Sequence, residues 1–318
     1  PFEACVQILR QNLYFSNAFS WELSESGIVN TVDLGIGVIN VAEEDKRPFT
    51  SAATSINDNG IIVGYSHFWW DITETTPSKN ERAGSFPAVF KDGEILDFTD
   101  RDDHFEGRAL KINNNNIFTG YLYSYINGKA RTKFFHANAL DEEIVPVFPK
   151  DFFPGSASYP HGINDNNIIV GEGEYEDFVD SAQTPRRRHG IYYNIETEQF
   201  FDVNQLLSCE DQEKYDIVEA RDINESNEIL ATAWVKAPKL DSKGEPFAID
   251  GQVVEGAEQD VLVAVYLTPI EGAELVVNDC SQELGEKVER AGASTGLLSL
   301  LPLTLFALRR RIKKVFFS

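Results

Sequence analysis

The sequence predicts an all-β protein, an array of four-stranded units of the β-propeller type followed by one C-terminal transmembrane helix. Three observations predict it. One pattern recurs four times, its anchor asparagines spaced by 56, 51 and 60 residues. An aromatic-rich strand follows each copy. Long helical periodicity is absent from the repeats. A β-sandwich array is the alternative architecture.

The first copy reads Ala53-Thr-Ser-Ile-Asn-Asp-Asn-Gly-Ile-Ile-Val-Gly64. It returns as Ala109-Leu-Lys-Ile-Asn-Asn-Asn-Asn-Ile-Phe-Thr-Gly120 and Pro160-His-Gly-Ile-Asn-Asp-Asn-Asn-Ile-Ile-Val-Gly171. The fourth and most divergent copy is Ala220-Arg-Asp-Ile-Asn-Glu-Ser-Asn-Glu-Ile-Leu-Ala231. In each, an isoleucine (Ile56, Ile112, Ile163, Ile223) ends one strand, four polar residues turn, and an apolar run begins the next strand, a hairpin signature. The anchors Asn57, Asn113, Asn164 and Asn224 suit an Asx-turn. Gly60, Asn116, Asn167 and Asn227 close the turn, where a left-handed backbone is required. Gly64, Gly120, Gly171 and Ala231 are small, as close approach of a neighbouring backbone demands.

The third strand of each unit is Pro87–Phe90, Lys133–His136, Gly190–Tyr193 or Leu262–Tyr266. The fourth is Ile95–Phe98, Ile144–Val147 or Phe200–Val203. Ala18–Trp21 and Ile28–Leu34 form an orphan half-unit. The expected division is residues 1–40 as the end of an upstream blade and 41–275 as repeats, with blades near 50–98, 106–148, 157–203 and 217–270. A linker over 276–290 and a membrane segment over 291–318 follow. The chain begins at Pro1 without a methionine, which predicts that upstream residues complete the first blade.

With 51 Asp and Glu against 28 Lys and Arg, the net charge is −23, which argues against nucleic acid as a partner. If the turns joining first to second and third to fourth strands share one face, the long insertions share the other. These are 66–85, 172–188 and 235–260, with 99–107, 149–158 and 204–215. Long loops on a rigid scaffold are the usual place for function. This face carries Asp100, Asp102, Asp103, Glu172, Glu174 and Glu176, with Asp71, Glu74, Glu81, Glu106, Asp177 and Asp180. A solvated acidic surface explains them economically; a cation face that takes calcium is the sharper alternative. Asp102, Asp103 and His104 offer ligand atoms, and an ordinary exposed loop explains them too. The turn Asn57-Asp-Asn-Gly60 lacks the alternating ligands of a calcium loop.

Arg186, Arg187 and Arg188, followed by His189, stand out in so acidic a chain. They read either as pairing with the neighbouring acidic loops or as recognising a phosphate or carboxylate ligand. Phe68-Trp-Trp70 reads either as packing under a loop or as stacking on sugar rings. His67, His104, His136, His161 and His189 show no metal-like spacing. No catalytic motif is present. Carboxylate pairs for glycoside hydrolysis are too easily found in this composition to single one out.

Of three cysteines, Cys209 and Cys280 flank the last blade and predict a disulfide, hence an oxidising compartment, leaving Cys5 over. Residues 291–308 carry no charge, and Arg309-Arg-Arg-Ile-Lys-Lys314 follows. An apolar span of about 17–20 residues with a basic end predicts a membrane anchor through 291–314 and an extracytoplasmic chain before it. A terminal amphipathic helix is the alternative.

The Ile-Asn-x-x-Gly/Asn-x-Ile-Val-Gly pattern resembles the HAF repeat of extracellular bacterial proteins. The four repeats, Ser208-Cys-Glu-Asp before Val218-Glu-Ala-Arg-Asp-Ile-Asn224, and the basic tail resemble the domain-of-unknown-function 3466 family of Gram-negative bacteria, over nearly the whole chain. The C-terminus is similar to the GlyGly-type sorting signal, with Ala291-Gly-Ala-Ser294 in place of Gly-Gly-Ser. That resemblance implies cleavage near Gly292, Ala293 and Ser294 by a rhomboid-like protease after type II secretion. The expected function is a non-catalytic, surface-displayed or secreted binding scaffold. The alternative is a secreted polysaccharide hydrolase using loop carboxylates. Two carboxylates in a deep central pocket favour the enzyme, and acids scattered over a shallow face favour binding.

Overall fold

A computed structural model describes residues 16–71, 81–177, 185–270, 272, 275–278 and 280. Residues 1–278 form one compact unit, and 279–318 a second in which Cys280 alone is described. The expected anchor, its processing residues Gly292, Ala293 and Ser294, Cys5, Glu74 and Asp180 lie outside the described residues. No helix among the described residues is long and apolar enough to cross a membrane.

The first unit is all-β, made of small antiparallel sheets in succession. A hairpin of β1 (Ala18–Ser24) and β2 (Gly27–Gly35) comes first. The next sheet orders β3 (Ser51–Ile56), β4 (Ile62–Trp69), β5 (Ala83–Lys91) and β6 (Glu94–Asp97). β7 (Glu106–Ile112), β8 (Ile117–Ile126) and β9 (Lys129–Asn138) form the second repeat sheet. β10 (Ser158–Ile163), β11 (Ile168–Glu174), β12 (Arg188–Asn194) and β13 (Gln199–Asp202) form the third. The fourth pairs β14 (Asp216–Ile223) with β15 (Ile229–Pro238). Between β15 and the last strand a small hairpin, β16 (Ala248–Ile249) and β17 (Gln252–Val253), interrupts the chain, and β18 (Glu258–Leu267) then pairs with β15. The first strand of each sheet packs on the second and third of the sheet before, β7 on β4 and β5, β10 on β8 and β9, β14 on β11 and β12. Among the described strands, no pairing joins the last sheet to the first.

Apolar side chains fill each gap between sheets. Ile61, Val63 and Val89 meet Ala109, Phe118, Leu122 and Phe135 at one junction, and Ile168, Val170 and Tyr192 meet Ile217, Ala220 and Ile223 at another. Each fully buried large side chain, such as Phe118 or Ile217, contributes roughly 1.5–3 kcal/mol.

The four turns behave as their sequences require. Gly60, Asn116, Asn167 and Asn227 have φ of 75°, 65°, 59° and 60°. The anchor side chains accept from the backbone: Ile61 N–H donates to Asn57 Oδ1 at 3.0 Å, Ile117 to Asn113 at 2.9 Å and Ile168 to Asn164 at 3.1 Å. A Cβ on Gly64 would stand 1.9 Å from the Ala52 carbonyl oxygen, and Gly120 and Gly171 meet Arg108 and Tyr159 in the same way.

The turns also bond to one another. Asn57 Nδ2 donates to the Asn113 carbonyl and to Asn116 Oδ1, and Asn59 Nδ2 donates to the Asn114 carbonyl and to the same Asn116 Oδ1. The Asp58 N–H adds a bond to Asn114 Oδ1, the fifth of a set, and Asn114 Nδ2 donates back to Asp58 Oδ2. The same five recur from the second repeat to the third and from the third to the fourth. Asn57, Asn113 and Asn164 are buried, with both amide hydrogens used. The fourth copy ends the series. Ser226 stands where Asn59, Asn115 and Asn166 donate, and Glu228 replaces the isoleucine and accepts from Asn224 Nδ2 at 2.6 Å. At the other end, Gly60 has no side chain to accept.

Several boundaries differ from expectation. Ile144–Val147 makes only one bridge, Val147 to His136, because Pro146 has no N–H to continue a ladder. Val203 leaves its strand to begin α1 (Val203–Leu206), capped by Asp202, whose side chain accepts from Asn204 N; α2 (Cys209–Gln212) follows. Residues 66–69 and 83–85 belong to β4 and β5. Glu172, Glu174 and Arg188 likewise belong to the ladder rather than to a loop, Glu174 lying opposite Arg188. Glu106 begins β7. At its two ends, residues 235–238 and 258–260, the 235–260 insertion continues the β15–β18 pairing, and its middle holds the β16–β17 hairpin. The two sets of short turns do share a face: Lys91 and Asp92 line a cavity of about 380 Å³ with Asn59, Gly60 and Asn116. Cys209 and Cys280 are both disulfide-bonded.

Candidate functional site

Every first strand carries one unpaired residue at the same place. Register slips between Ala53 and Ser55, Ala109 and Lys111, Pro160 and Gly162, and Ala220 and Asp222. The bulged residues are therefore Thr54, Leu110, His161 and Arg221. A bulge twists its strand and re-aims a side chain. The carbonyls of Ala52, Arg108 and Tyr159, two residues before each bulge, stand over Gly64, Gly120 and Gly171, and the fourth copy has Ala231 at that place.

The bulges and their neighbours set polar groups in a row across consecutive sheets. The Arg108 guanidinium lies 4.3 Å from the Tyr65 ring centre. Tyr121 and Tyr159 rings are 4.5 Å apart. The Tyr159 and His161 rings are 5.2 Å apart. His161 Nε2 lies 3.9 Å from Glu172 Oε1. Arg188 Nη1 donates to Glu172 Oε1 at 2.6 Å, and Arg221 Nε lies 2.8 Å from Glu219 Oε1. Ligand atoms of His161, Glu172 and Glu219 all fall within 4.8 Å of one another, among the described residues the one such set of three His, Cys, Asp or Glu side chains.

Burial dominates the protonation of this row. It pulls His161 down to about 4, with the Arg221 charge acting in the same direction, so the ring is neutral near pH 7. It pushes the Glu172 carboxyl up, against the opposing pull of Arg188. It raises the Tyr121 and Tyr159 hydroxyls. Perturbed groups gathered in one place are a mark of functional sites, and of ion-pair networks too.

The acidic residues singled out from sequence separate into different settings. Asp100 accepts from the Asp102 N–H in a tight turn, and neither Asp102 nor Asp103 joins a cluster of ligand atoms. His104 is tied to Ser124 Oγ at 2.7 Å and stacks on Phe148. The three arginines pair with the three glutamates: Arg186 with Glu174 at 2.8 Å, Arg187 with Glu176, and Arg188 with Glu172. Glu174 also faces Arg131 at 3.6 Å. His189 lies 2.6 Å from Asp202 and 3.2 Å from Asp216 and stacks on Tyr175. Burial pulls its pKa down, but these carboxylates outweigh it and raise it to about 9. Phe68 and Trp69 are buried, and Trp70 packs against Phe86 under the Arg82 guanidinium.

Sequence reasoning named Glu172 and Arg188, set His161 aside for want of metal-like spacing, and missed Tyr159, Glu219 and Arg221. A signal was available. Counting back three residues from the anchors gives Thr54, Leu110, His161 and Arg221, and counting back five gives Ala52, Arg108, Tyr159 and Glu219. Polar groups cluster there in the later copies.

Residues 1–311 match the family described as "Protein of unknown function (DUF3466)". The chain belongs to that family. In this chain the repeat turns bond sheet to sheet and the bulged first strands carry the polar row. No curated protein and no solved structure matches the chain.

Proposed function

We propose that this DUF3466 protein is a non-catalytic binding scaffold of the β-propeller type, displayed outside the cytoplasm. The row from Arg108 through Tyr159 to Glu219 is its contact surface. One observation carries the reading. The row crosses two junctions whose sheets are bonded turn to turn, so a ligand laid along it meets groups held at fixed spacing. The packing of each first strand on the sheet before supports the propeller. The disulfide-bonded cysteines, the uncharged span at 291–308 and the basic cluster after it support an extracytoplasmic address, with anchoring or sorting through 291–314. Sorting would involve a protease acting near Gly292–Ser294 and the type II secretion machinery. Chain mass in surface and medium fractions of native cells tests this: an end near Ser294 supports sorting, and an intact chain in the inner membrane supports a permanent anchor.

A second reading has one observation in its favour. Glu172 and Glu219 bring carboxylate oxygens within 4.8 Å, and Glu172 has a raised pKa, the setting of a glycosidase acid pair. Each is held by an arginine, however, which favours the charged form and a fixed position over proton transfer. Incubation with envelope polysaccharides separates the readings. Retention without new reducing ends is expected, and retention weakens with Tyr159→Ala. Reducing ends that vanish with Glu172→Gln would install the hydrolase instead.

A further inference from the structure

We propose that His161, Glu172 and Glu219 form a binding site for a first-row divalent transition metal of the zinc class. The site spans the junction between the third and fourth repeat sheets, at the end of the row read above as the contact surface, and its metal test does not depend on that reading.

Three strands supply the donors. His161 is the bulged residue of β10, Glu172 lies on β11 opposite Tyr159, and Glu219 comes from β14 of the next sheet. Zinc bonds to nitrogen and carboxylate oxygen are roughly 2.0–2.2 Å, which places tetrahedral ligand atoms about 3.4 Å apart. His161 Nε2 and Glu172 Oε1 stand at 3.9 Å, and all three ligand atoms lie within 4.8 Å. Rotation of the two glutamate side chains closes that difference.

A second observation points to a ligand independently. His161 Nε2 is fully buried and has no hydrogen-bond partner. Buried polar atoms are rarely left so, because an unmet group forfeits its hydration. At 3.9 Å from Glu172 the nitrogen is too far to donate and well placed to share a cation. A ring nitrogen in the set also selects the metal. Calcium and magnesium take oxygen ligands, whereas imidazole with carboxylates suits zinc, iron and nickel. The calcium weighed as an alternative for the acidic loops is therefore the wrong class for this place.

Arg188 and Arg221 shape the site from outside. Each occupies one oxygen of a glutamate at 2.6 and 2.8 Å, and their side chains are 48% and 53% exposed. They orient the carboxylates, and they also compete with an incoming cation for the same charge. Removing one therefore tightens metal binding, where loss of a purely structural ion pair gives no metal binding at all.

Cobalt(II) titrated into the full chain tests the proposal. One equivalent binds with the visible absorption of a nitrogen–oxygen site, zinc displaces it, and Tm rises with metal because the metal clamps two sheets. His161→Ala and Glu172→Gln each weaken binding at least tenfold, while Arg188→Gln strengthens it several-fold. Glu176→Gln, on the exposed Arg187 pair, leaves it unchanged. Circular dichroism of each variant without metal checks the fold, and if His161→Ala unfolds, Glu219→Gln carries the same expectation. No stoichiometric cobalt band, or binding indifferent to the His161, Glu172 and Glu219 variants, overturns the site. Loss of polysaccharide retention with metal binding intact counts against the scaffold reading alone.

Discussion

Asn57 donates both hydrogens of its side-chain amide across a sheet boundary, to the Asn113 carbonyl at 3.0 Å and to Asn116 Oδ1 at 2.9 Å. Its own Oδ1 meanwhile holds the Ile61 N–H within its turn. One buried residue thus closes a hairpin and fastens it to the next.

This predicts unequal costs for one substitution. Asn113→Ala leaves the Ile117 N–H and the Asn164 carbonyl without these partners in a buried setting, at about 3 kcal/mol. Asn224→Ala loses exposed turn bonds from the Ser226 and Glu228 N–H groups and the contact with the Glu228 carboxylate, at about 1 kcal/mol. Urea midpoints of the two variants measure the difference, and equal midpoints would sink the shared role of the buried asparagines.

The glycines give a second contrast. Gly120→Ala forces a Cβ to within 2.1 Å of the Arg108 carbonyl oxygen and 2.8 Å of Ala109 Cα, both backbone atoms, so a destabilisation of about 2–3 kcal/mol is expected. Gly60→Asn meets nothing within 4 Å and keeps a residue tolerant of φ 75°, so its effect stays within about 0.5 kcal/mol. Thermal melts of the pair check both.

Histidine titration followed by NMR should separate His189 from the others. It titrates near 9, while His136 and His161 titrate near 4. The signs oppose. The raised pKa of His189 stabilises the fold fully below about 6.5, its unfolded value, and that contribution fades as pH climbs through 9. The depressed pKa values of His136 and His161 destabilise the fold as pH falls from about 6.5 towards 4, because the unfolded rings take protons first. His189→Asn should flatten the alkaline arm of the stability curve and leave the acid arm in place.

Burial also ranks the ion pairs. Glu174, with side-chain exposure of 10%, holds Arg186 and faces Arg131, so Glu174→Ala strands charge and costs about 3 kcal/mol. Glu176 pairs with an Arg187 that is 67% exposed, and Glu176→Ala leaves the melting point close to that of the unaltered chain. Similar melting points for the two variants would contradict this ranking.

The repeat was readable because its constraints act within a few residues. Asn57, Gly60 and Gly64 answer to one hairpin, and each copy repeats the demand. Pro146 carried its own warning against a strand, and Val203 gave none, since strand and helix start share its composition. The row at His161 was hidden for a different reason. Glu219 reaches it from the following sheet, and only the bulge places His161 beside it. Glu172 and Arg188 were picked out by charge, which marked the residues without revealing that they sit in a ladder.

Gly60 at one end of the bonded turns and Ser226 with Glu228 at the other make the series directional. A further copy spelled Asn-Asp-Asn-Asn, spliced between the second and third, would find an acceptor ahead of it and a donor behind. The same copy placed after the fourth would meet a turn that offers no amide forward. The turn-to-turn series among the four repeats thus has a direction, each turn donating to the one that follows it.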